Sequence, residues 1–314
     1  MTEMHVVTGA FGFTGSHIAR RLLDSGIKVR TLTGHAARPS PLHDAVEIRP
    51  LQFTDERRLV SDLQGARVLY NTYWVRFPYH GTTYESAVSN SLVLIRAAQE
   101  AGVERLVHVS ITNPDEASTL GYFRGKARVE RAIHESSLLH AILRPAVLFG
   151  DDGILINNIA WLLRRFPIFV TPGSGEYRLQ PIFVQDLADM AVARAAGTGN
   201  STTDAIGPET FTFNQLVSLI AEVLDSRSRV VHMSPMLALA LSKIIGFLRR
   251  DVILTREEVD GLLADLLVTR SSPTGATKLS EWLRAHSASI GRRYQSELAR
   301  HYRAAEGLTS VTDP

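Results

Sequence analysis

The chain of 314 residues contains no cysteine. Disulfides, thiolate metal sites and cysteine nucleophiles are therefore excluded, which suits a reducing compartment. It also lacks a charge excess: 34 Lys and Arg face 32 Asp and Glu, a formal net charge of +2. No polybasic stretch stands out, so no nucleic-acid partner is expected. Long apolar runs are missing too. The longest, Met236 to Leu248, is broken by Ser242, Lys243 and Gly246. It is shorter than the roughly 20 residues a membrane span needs. The expected reading is a buried helix in the C-terminal half. Arg249 and Arg250 behind it leave a second reading, a weak membrane-surface contact through 236–250. The 11 histidines form no His-x-x-x-His pair on a predicted helix, and no dense carboxylate cluster has ligand spacing. No metal is expected. No Gly-x-Ser-x-Gly elbow is present, so a serine hydrolase is not supported. The first strand starts so early that no signal peptide is expected. A cytoplasmic protein, at most peripheral to a membrane, is the resulting expectation.

With 45% hydrophobic and 21% charged residues, the composition is that of a globular protein long enough for a full core. Strand and helix patterns alternate through the first half. Strands are predicted at His5–Thr8, Lys28–Leu32, Val46–Ile48, Val68–Tyr70, Leu106–Val109 and Ala141–Leu143. Helices are predicted at Thr14–Ser25, Asp55–Leu63, Thr83–Ala101 and Phe123–Ser136. Such alternation implies an α/β fold, a doubly wound parallel sheet of Rossmann type. After Gly150 the pattern becomes mainly helical, with loops marked by Pro167, Pro172, Gly173 and Gly175. Residues 1–150 are expected to form one domain, with 181–200 packing back on it. Residues 151–314 are expected to form a smaller, interleaved region that completes a cleft.

The first predicted strand runs into Thr8-Gly9-Ala10-Phe11-Gly12-Phe13-Thr14-Gly15. Gly9 permits a sharp turn off the strand. Gly12, lacking a Cβ, lets a pyrophosphate approach the backbone. Gly15 lets the helix pack against the sheet. Lying between a strand and a helix, this turn reads as a dinucleotide loop that seats a pyrophosphate on free helix N–H groups. Thr8, Gly9, Phe11, Gly12, Phe13, Thr14 and Gly15 are its candidate contacts.

The end of the second strand bears on cofactor choice. An acid there would bond a ribose 2′-hydroxyl and repel a 2′-phosphate. The chain reads Thr33-Gly34-His35-Ala36-Ala37-Arg38, with no acid before Asp44. Thr33, His35 and Arg38 could surround a phosphate, so NADP(H) is favoured over NAD(H). Arg38 as a solvated loop residue is the alternative. After the third strand, Gln52 or its neighbour Phe53 would have to meet adenine, and Asp55 reads as a helix N-cap.

Tyr122-Phe123-Arg124-Gly125-Lys126 places Tyr122 and Lys126 on one helix face, one turn apart. A neighbouring ammonium would lower a tyrosine pKa toward the range of an acid/base. Ser110, at a strand end 12 positions before Tyr122, and Thr112 could bond a substrate oxygen.

At these residues the chain resembles the short-chain dehydrogenase/reductase superfamily of the extended or atypical, epimerase/dehydratase-like kind. Gly9, Gly12, Gly15, Ser110, Tyr122 and Lys126 occur in that family's order. So do Asn71 after the fourth strand, Asn90 in the next helix, and Arg144-Pro145 after the sixth strand, and these, with Thr72 and Tyr73 next to Asn71, are candidate cofactor contacts. The likeness covers residues 4–150 and continues more loosely to about 190, through Gln180–Leu187. The short Ser110–Tyr122 gap and the Ile156–Phe169 stretch are similar to the branch of the nucleotide-binding accessory subunit of respiratory complex I and its bacterial relatives. The resemblance implies Tyr122 as general acid or base, Lys126 as its pKa-lowering partner and ribose holder, and Ser110 as the group orienting the reacting oxygen. It implies a small-molecule substrate and hydride exchange with an alcohol or carbonyl carbon, as an oxidoreductase or an epimerase. A homodimer through helices Thr83–Ala101 and Tyr122–Ser136 is expected by analogy. Two other readings stay open: a non-catalytic NADP(H)-binding redox sensor or assembly factor, and a peripheral-membrane enzyme acting on a lipid or quinone. For the pocket, Trp74, Tyr79 and His80 in an aromatic loop, with Trp161 and Arg178, are candidates. Packing between the two halves is the alternative role for the loop.

Overall fold

Strands that are continuous apolar runs need covering on both faces when their connections are helices. Adjacent residues of each central strand indeed enter different cores. Val6, Leu69, Leu106 and Ile142 pack on one side of the sheet, and Val7, Tyr70, Val107 and Leu143 on the other. A computed structural model describes residues 3–302. Its main sheet contains β1 (Met4–Thr8), β2 (Lys28–Thr33), β3 (Glu47–Pro50), β4 (Val68–Asn71), β5 (Arg105–Val109) and β6 (Leu139–Pro145). The later β11 (Ser201–Ala205) completes it. All pairings are parallel, in the order β11-β6-β5-β4-β1-β2-β3.

One face carries α1 (Phe13–Asp24) and α6 (Val184–Ala195), through Ile18, Leu22, Leu187 and Ala191. The other carries α2 (Glu56–Leu63), α3 (Tyr84–Glu100) and α4 (Gly121–Glu135), through Leu63, Leu94 and Ile133. Asp55 caps α2, accepting from the Arg58 N–H at 3.0 Å. Strand order reverses at β1, which lies between β2 and β4. Such a reversal opens a crevice above the carboxyl ends of the strands.

The remaining elements surround a second core. These are β7 (Val147–Phe149), β8 (Ile168–Pro172), β9 (Arg178–Leu179), β10 (Pro181–Phe183), β12 (Phe211–Thr212) and β13 (Arg229–Met233). The helices are α5 (Ile154–Arg165), α7 (Phe213–Val223), α8 (Pro235–Arg249), α9 (Arg256–Leu263), α10 (Leu279–Ala285) and α11 (Glu297–His301). The strands form three two-stranded pairs, β7 with β10, β8 with β13 and β9 with β12. Phe149, Leu216 and Leu283 are fully buried here.

The Met236–Leu248 run forms α8 but is not a buried helix. Ala238, Ser242 and Gly246, four residues apart, are its buried positions. Met236, Leu237, Ile244, Phe247 and Leu248 are exposed, Phe247 by 84%. Small residues form the inward stripe because the backbone comes close: a Cβ on Gly246 would stand 2.5 Å from the Asp251 carbonyl oxygen. The bulky side chains are left on the outer face. No helix among the described residues is long and apolar enough to cross a membrane.

Candidate dinucleotide-binding site

The crevice holds a groove of about 560 Å³. Its floor is the glycine turn. Gly9 has φ +68°, a left-handed conformation that lets the chain leave β1 sharply. The Gly12 N–H then bonds the Gly9 carbonyl at 2.8 Å. A Cβ on Gly15 would lie 2.2 Å from the same carbonyl oxygen, so no side chain fits there. Thr8, Gly9, Phe11, Gly12, Phe13, Thr14 and Gly15 all line the groove. With Gly12 as N-cap and no side chain capping α1, the first-turn N–H groups have no cap of their own.

Thr33, Gly34, His35 and Arg38 form one end. The Thr33 hydroxyl accepts from the His35 N–H at 3.0 Å, which shapes the turn. Arg38 donates to the Phe11 carbonyl at 3.4 Å and to the Arg300 carbonyl. Burial holds its pKa below the usual arginine value. Leu51 and Phe53 form an apolar wall there, whereas Gln52 is exposed outside the groove. Beyond β4, Thr72, Tyr73 and Trp74 line the groove, and Asn90 donates to the Tyr73 hydroxyl at 2.8 Å.

Asn71 lies beneath this surface. Fully buried, its amide oxygen accepts from the Tyr73 N–H at 2.9 Å, and its nitrogen lies 3.1 Å from His108 Nδ1. It shapes the loop rather than the groove wall. Arg144 and Pro145 also stay outside. Arg144 pairs with Glu130, its Nη2 2.5 Å from the carboxylate, and the Pro145 carbonyl accepts from the Thr112 N–H at 3.0 Å.

Ser110, Tyr122 and Lys126 do not reach the groove either. Trp74 stands between. Its ring packs on Gly125, where a Cβ would be 2.9 Å from the indole edge. Lys126 Nζ lies 4.6 Å from the indole centroid, and the Tyr122 ring meets it edge-on at 5.8 Å. Ser110 turns away from Tyr122 and donates to Glu130 at 2.5 Å. Lys126 donates to the Val109 carbonyl at 2.8 Å. No hydrogen bond joins Tyr122 to Lys126 among the described residues. Burial lowers the Lys126 pKa to about 7, against an opposing pull from Glu130. The Tyr122 pKa is raised, chiefly by burial; Arg76 opposes this, and Glu258 and Glu297 add to it.

The Lys126 shift has a measurable consequence. Its folded pKa lies below the 10.5 of the free group, so between about pH 7 and 10.5 the unfolded chain binds the extra proton. Stability from this group therefore rises with pH across that window. Relative to Lys126→Met, the wild type should gain about 2 kcal/mol between pH 6 and 9. Urea unfolding at both pH values checks this, and a constant difference would refute it.

The other pocket candidates lie apart. Tyr79 stacks on His80, with ring centroids 4.3 Å apart, and meets the Tyr302 ring at a tilt, 4.9 Å apart; neither Tyr79 nor His80 lines the groove. The Thr112 hydroxyl is buried against the Leu266 carbonyl at 2.8 Å. Trp161 packs in the C-terminal region against Tyr294 and Phe166, and Arg178 is an exposed ion pair with Asp265 at 2.9 Å. Neither lines the groove.

Among the lining residues that carry no motif are Glu297, Arg300, His301 and Tyr302, from α11 and its end. No spacing rule links them to a turn almost 300 residues earlier. Glu130 could have been found, because it stands four positions after Lys126 on α4.

A family profile described as NAD(P)H-binding matches residues 9–158. Over 284 residues the chain is 24% identical to the mitochondrial NADH dehydrogenase [ubiquinone] 1 alpha subcomplex subunit 9 of Arabidopsis thaliana, covering 84% of this chain and 70% of that protein. It is 23% identical to a photosystem II assembly factor of Guillardia theta, with 77% of each chain covered. Among solved structures, the Citrobacter sp. triphenylmethane reductase complexed with NADP(H) superposes with a TM-score of 0.72 at 18% identity, covering 90% of this chain and 99% of that one. UDP-glucose 4-epimerase of Thermotoga maritima shares the fold, with a TM-score of 0.59 at 18% identity over 74% of this chain and 86% of that one. The chain thus carries an NAD(P)-binding fold that epimerases and reductases of known structure share, and its sequence is distantly similar to the alpha subcomplex subunit 9 type of NADH dehydrogenase subunit.

Proposed function

We propose that this protein is an NADP(H)-dependent oxidoreductase acting on an alcohol or carbonyl group of a small molecule. The groove carries this reading: a cavity of about 560 Å³ that joins the glycine turn to Thr33, His35 and Arg38. No carboxylate faces Arg38 within ion-pair distance among the described residues. A cation with no acid beside it suits a 2′-phosphate. Bound there, a nicotinamide would donate or accept hydride at the substrate carbon. In the reductive direction Tyr122 would give its phenolic proton to the substrate oxygen as hydride reaches the carbon. Lys126, one turn away, would offset the phenolate charge. For this, the Trp74 ring has to leave its place between the pair and the groove.

Fluorescence titration with NADPH and NADH tests the cofactor reading. NADPH should bind at least about tenfold tighter, and Arg38→Ala should remove that preference with little effect on NADH. Tighter NADH binding would refute the role of Arg38. Weak binding of both to a folded protein would refute the groove.

One observation favours a second reading, a protein that retains NADP(H) without turnover. Lys126 and Ser110 are engaged by Val109 and Glu130, and Trp74 covers Tyr122. Tyr122→Phe separates the two. For the enzyme, turnover of a carbonyl substrate should fall about 100-fold or more with NADPH affinity unchanged. Undiminished turnover would exclude Tyr122 as the acid/base. If no carbonyl or alcohol is turned over at all, the non-catalytic reading stands.

A further inference from the structure

The far end of the described chain crosses the mouth of the groove. The N–H groups of Glu297 and Leu298 bond the Asp251 carboxylate at 3.0 and 2.9 Å. The Tyr302 hydroxyl donates to the Phe77 carbonyl at 2.5 Å, and its ring stacks on Phe77 at 5.6 Å. On the opposite bank Arg38 donates to the Arg300 carbonyl, and His35 bonds the His301 backbone. α11 is thus tied to both banks, and the cavity remains open beneath it.

The Arg300 side chain points back into the groove. Its guanidinium lies 5.5 Å from the centre of the Phe13 ring, the first residue of α1. Its one hydrogen bond among the described residues goes to the Gln295 amide oxygen at 3.3 Å. No carboxylate stands within ion-pair distance of it among those residues. Burial, with Arg38 and Arg76 nearby, depresses its pKa, while Glu297 and Asp152 pull the other way. A partly enclosed cation therefore faces the positive end of a helix across an open groove. Two positive elements so placed are complementary to a dianion between them.

We propose that Arg300 binds the pyrophosphate of the dinucleotide from the side opposite the glycine turn, with α11 as the strap that carries it. The proposal rests on reading the groove as an NAD(P)H site. It adds a ligand from the other end of the chain. Arg38 and Arg300 then have separable roles, one toward the 2′-phosphate and the other toward the pyrophosphate.

The test is calorimetric titration of the full chain with NADPH, NADH and adenosine 2′-monophosphate, which has no 5′-phosphate and therefore no part of the pyrophosphate. Arg300→Ala should weaken NADPH and NADH by the same factor, about tenfold or more, and leave adenosine 2′-monophosphate unchanged. Arg300→Lys, which keeps the charge but not the two-pronged geometry, should fall between. It also serves if the alanine variant does not fold, since wild-type affinity in Arg300→Lys together with loss only in an unfolded Arg300→Ala would overturn the proposal. Unchanged dinucleotide affinity would overturn it, and so would an equal loss for adenosine 2′-monophosphate. Tighter binding by Arg300→Ala would mean that α11 obstructs the groove, also against the proposal. If the wild-type protein is folded yet binds neither dinucleotide, the reading of the groove itself fails.

Discussion

Replacing Gly15 by alanine is expected to abolish dinucleotide binding, raising the dissociation constants for NADPH and NADH by about 100-fold or more. The added Cβ would stand 2.2 Å from the Gly9 carbonyl oxygen and 3.1 Å from that of Thr8. Both are backbone atoms of β1 and its turn, so neither can rotate aside. α1 would have to lift from the sheet, carrying away the N–H groups expected to hold phosphate. Gly12→Ala is the graded companion. Its Cβ would meet the Gly9 carbonyl oxygen at 3.2 Å, which a small shift relieves. The expected order of affinity is wild type, then Gly12→Ala, then Gly15→Ala, measured on variants with native circular dichroism. A Gly15→Ala protein that binds both cofactors normally would contradict the assignment of the turn.

Loss of Glu130 should have the largest effect on stability among single polar replacements in the main domain. Its carboxylate, on α4 and 4% exposed, accepts from Arg144 on β6 and from Ser110 beyond β5. Glu130→Ala would leave the Arg144 guanidinium and the Ser110 hydroxyl without these partners. Breaking such a pair from one side costs about 3 kcal/mol. The expected result is a melting temperature lower by about 5 °C or more. Glu130→Gln, which keeps one accepting oxygen for Ser110 and the Arg144 Nε but puts a donating amide nitrogen at the other position, should lose less than Glu130→Ala. The double replacement Glu130→Leu with Arg144→Met should recover part of the loss, since it leaves no buried charge alone. A melting temperature within about 1 °C of wild type for Glu130→Ala would refute the argument.

The elements of the main domain were legible because their signals are local. The apolar run Val6-Val7 leads through Thr8 into a glycine turn, and Asp55 stands where α2 needs a cap. Glycine spacing carried the turn's chemistry, because a close backbone approach excludes every other residue. The α8 stretch was misread as buried for a reason equally physical. Mean apolarity says how many large side chains a helix has. It does not say that Ala238, Ser242 and Gly246 face inward while Phe247 faces out.

The candidate catalytic group shows the limit more sharply. A spacing of four set Tyr122 and Lys126 on neighbouring turns of one helix, as expected. Spacing does not determine what lies in front of them. Trp74, some 50 residues earlier, covers the pair, and burial is the largest cause that moves both pKa values in directions that adjacency did not suggest. Ser110 likewise has the expected place in the chain but a different partner.

By itself the sequence determined a parallel α/β sheet with a glycine turn at its start, since periodicity and glycine sterics act over a few residues. It also excluded thiol chemistry. Only the tertiary structure decided which of those residues share a cavity, that Trp74 separates Tyr122 from it, and that Arg300 and Tyr302 close it from the other end of the chain. Desolvation and contact depend on the neighbours that folding brings together, and no local pattern encodes them.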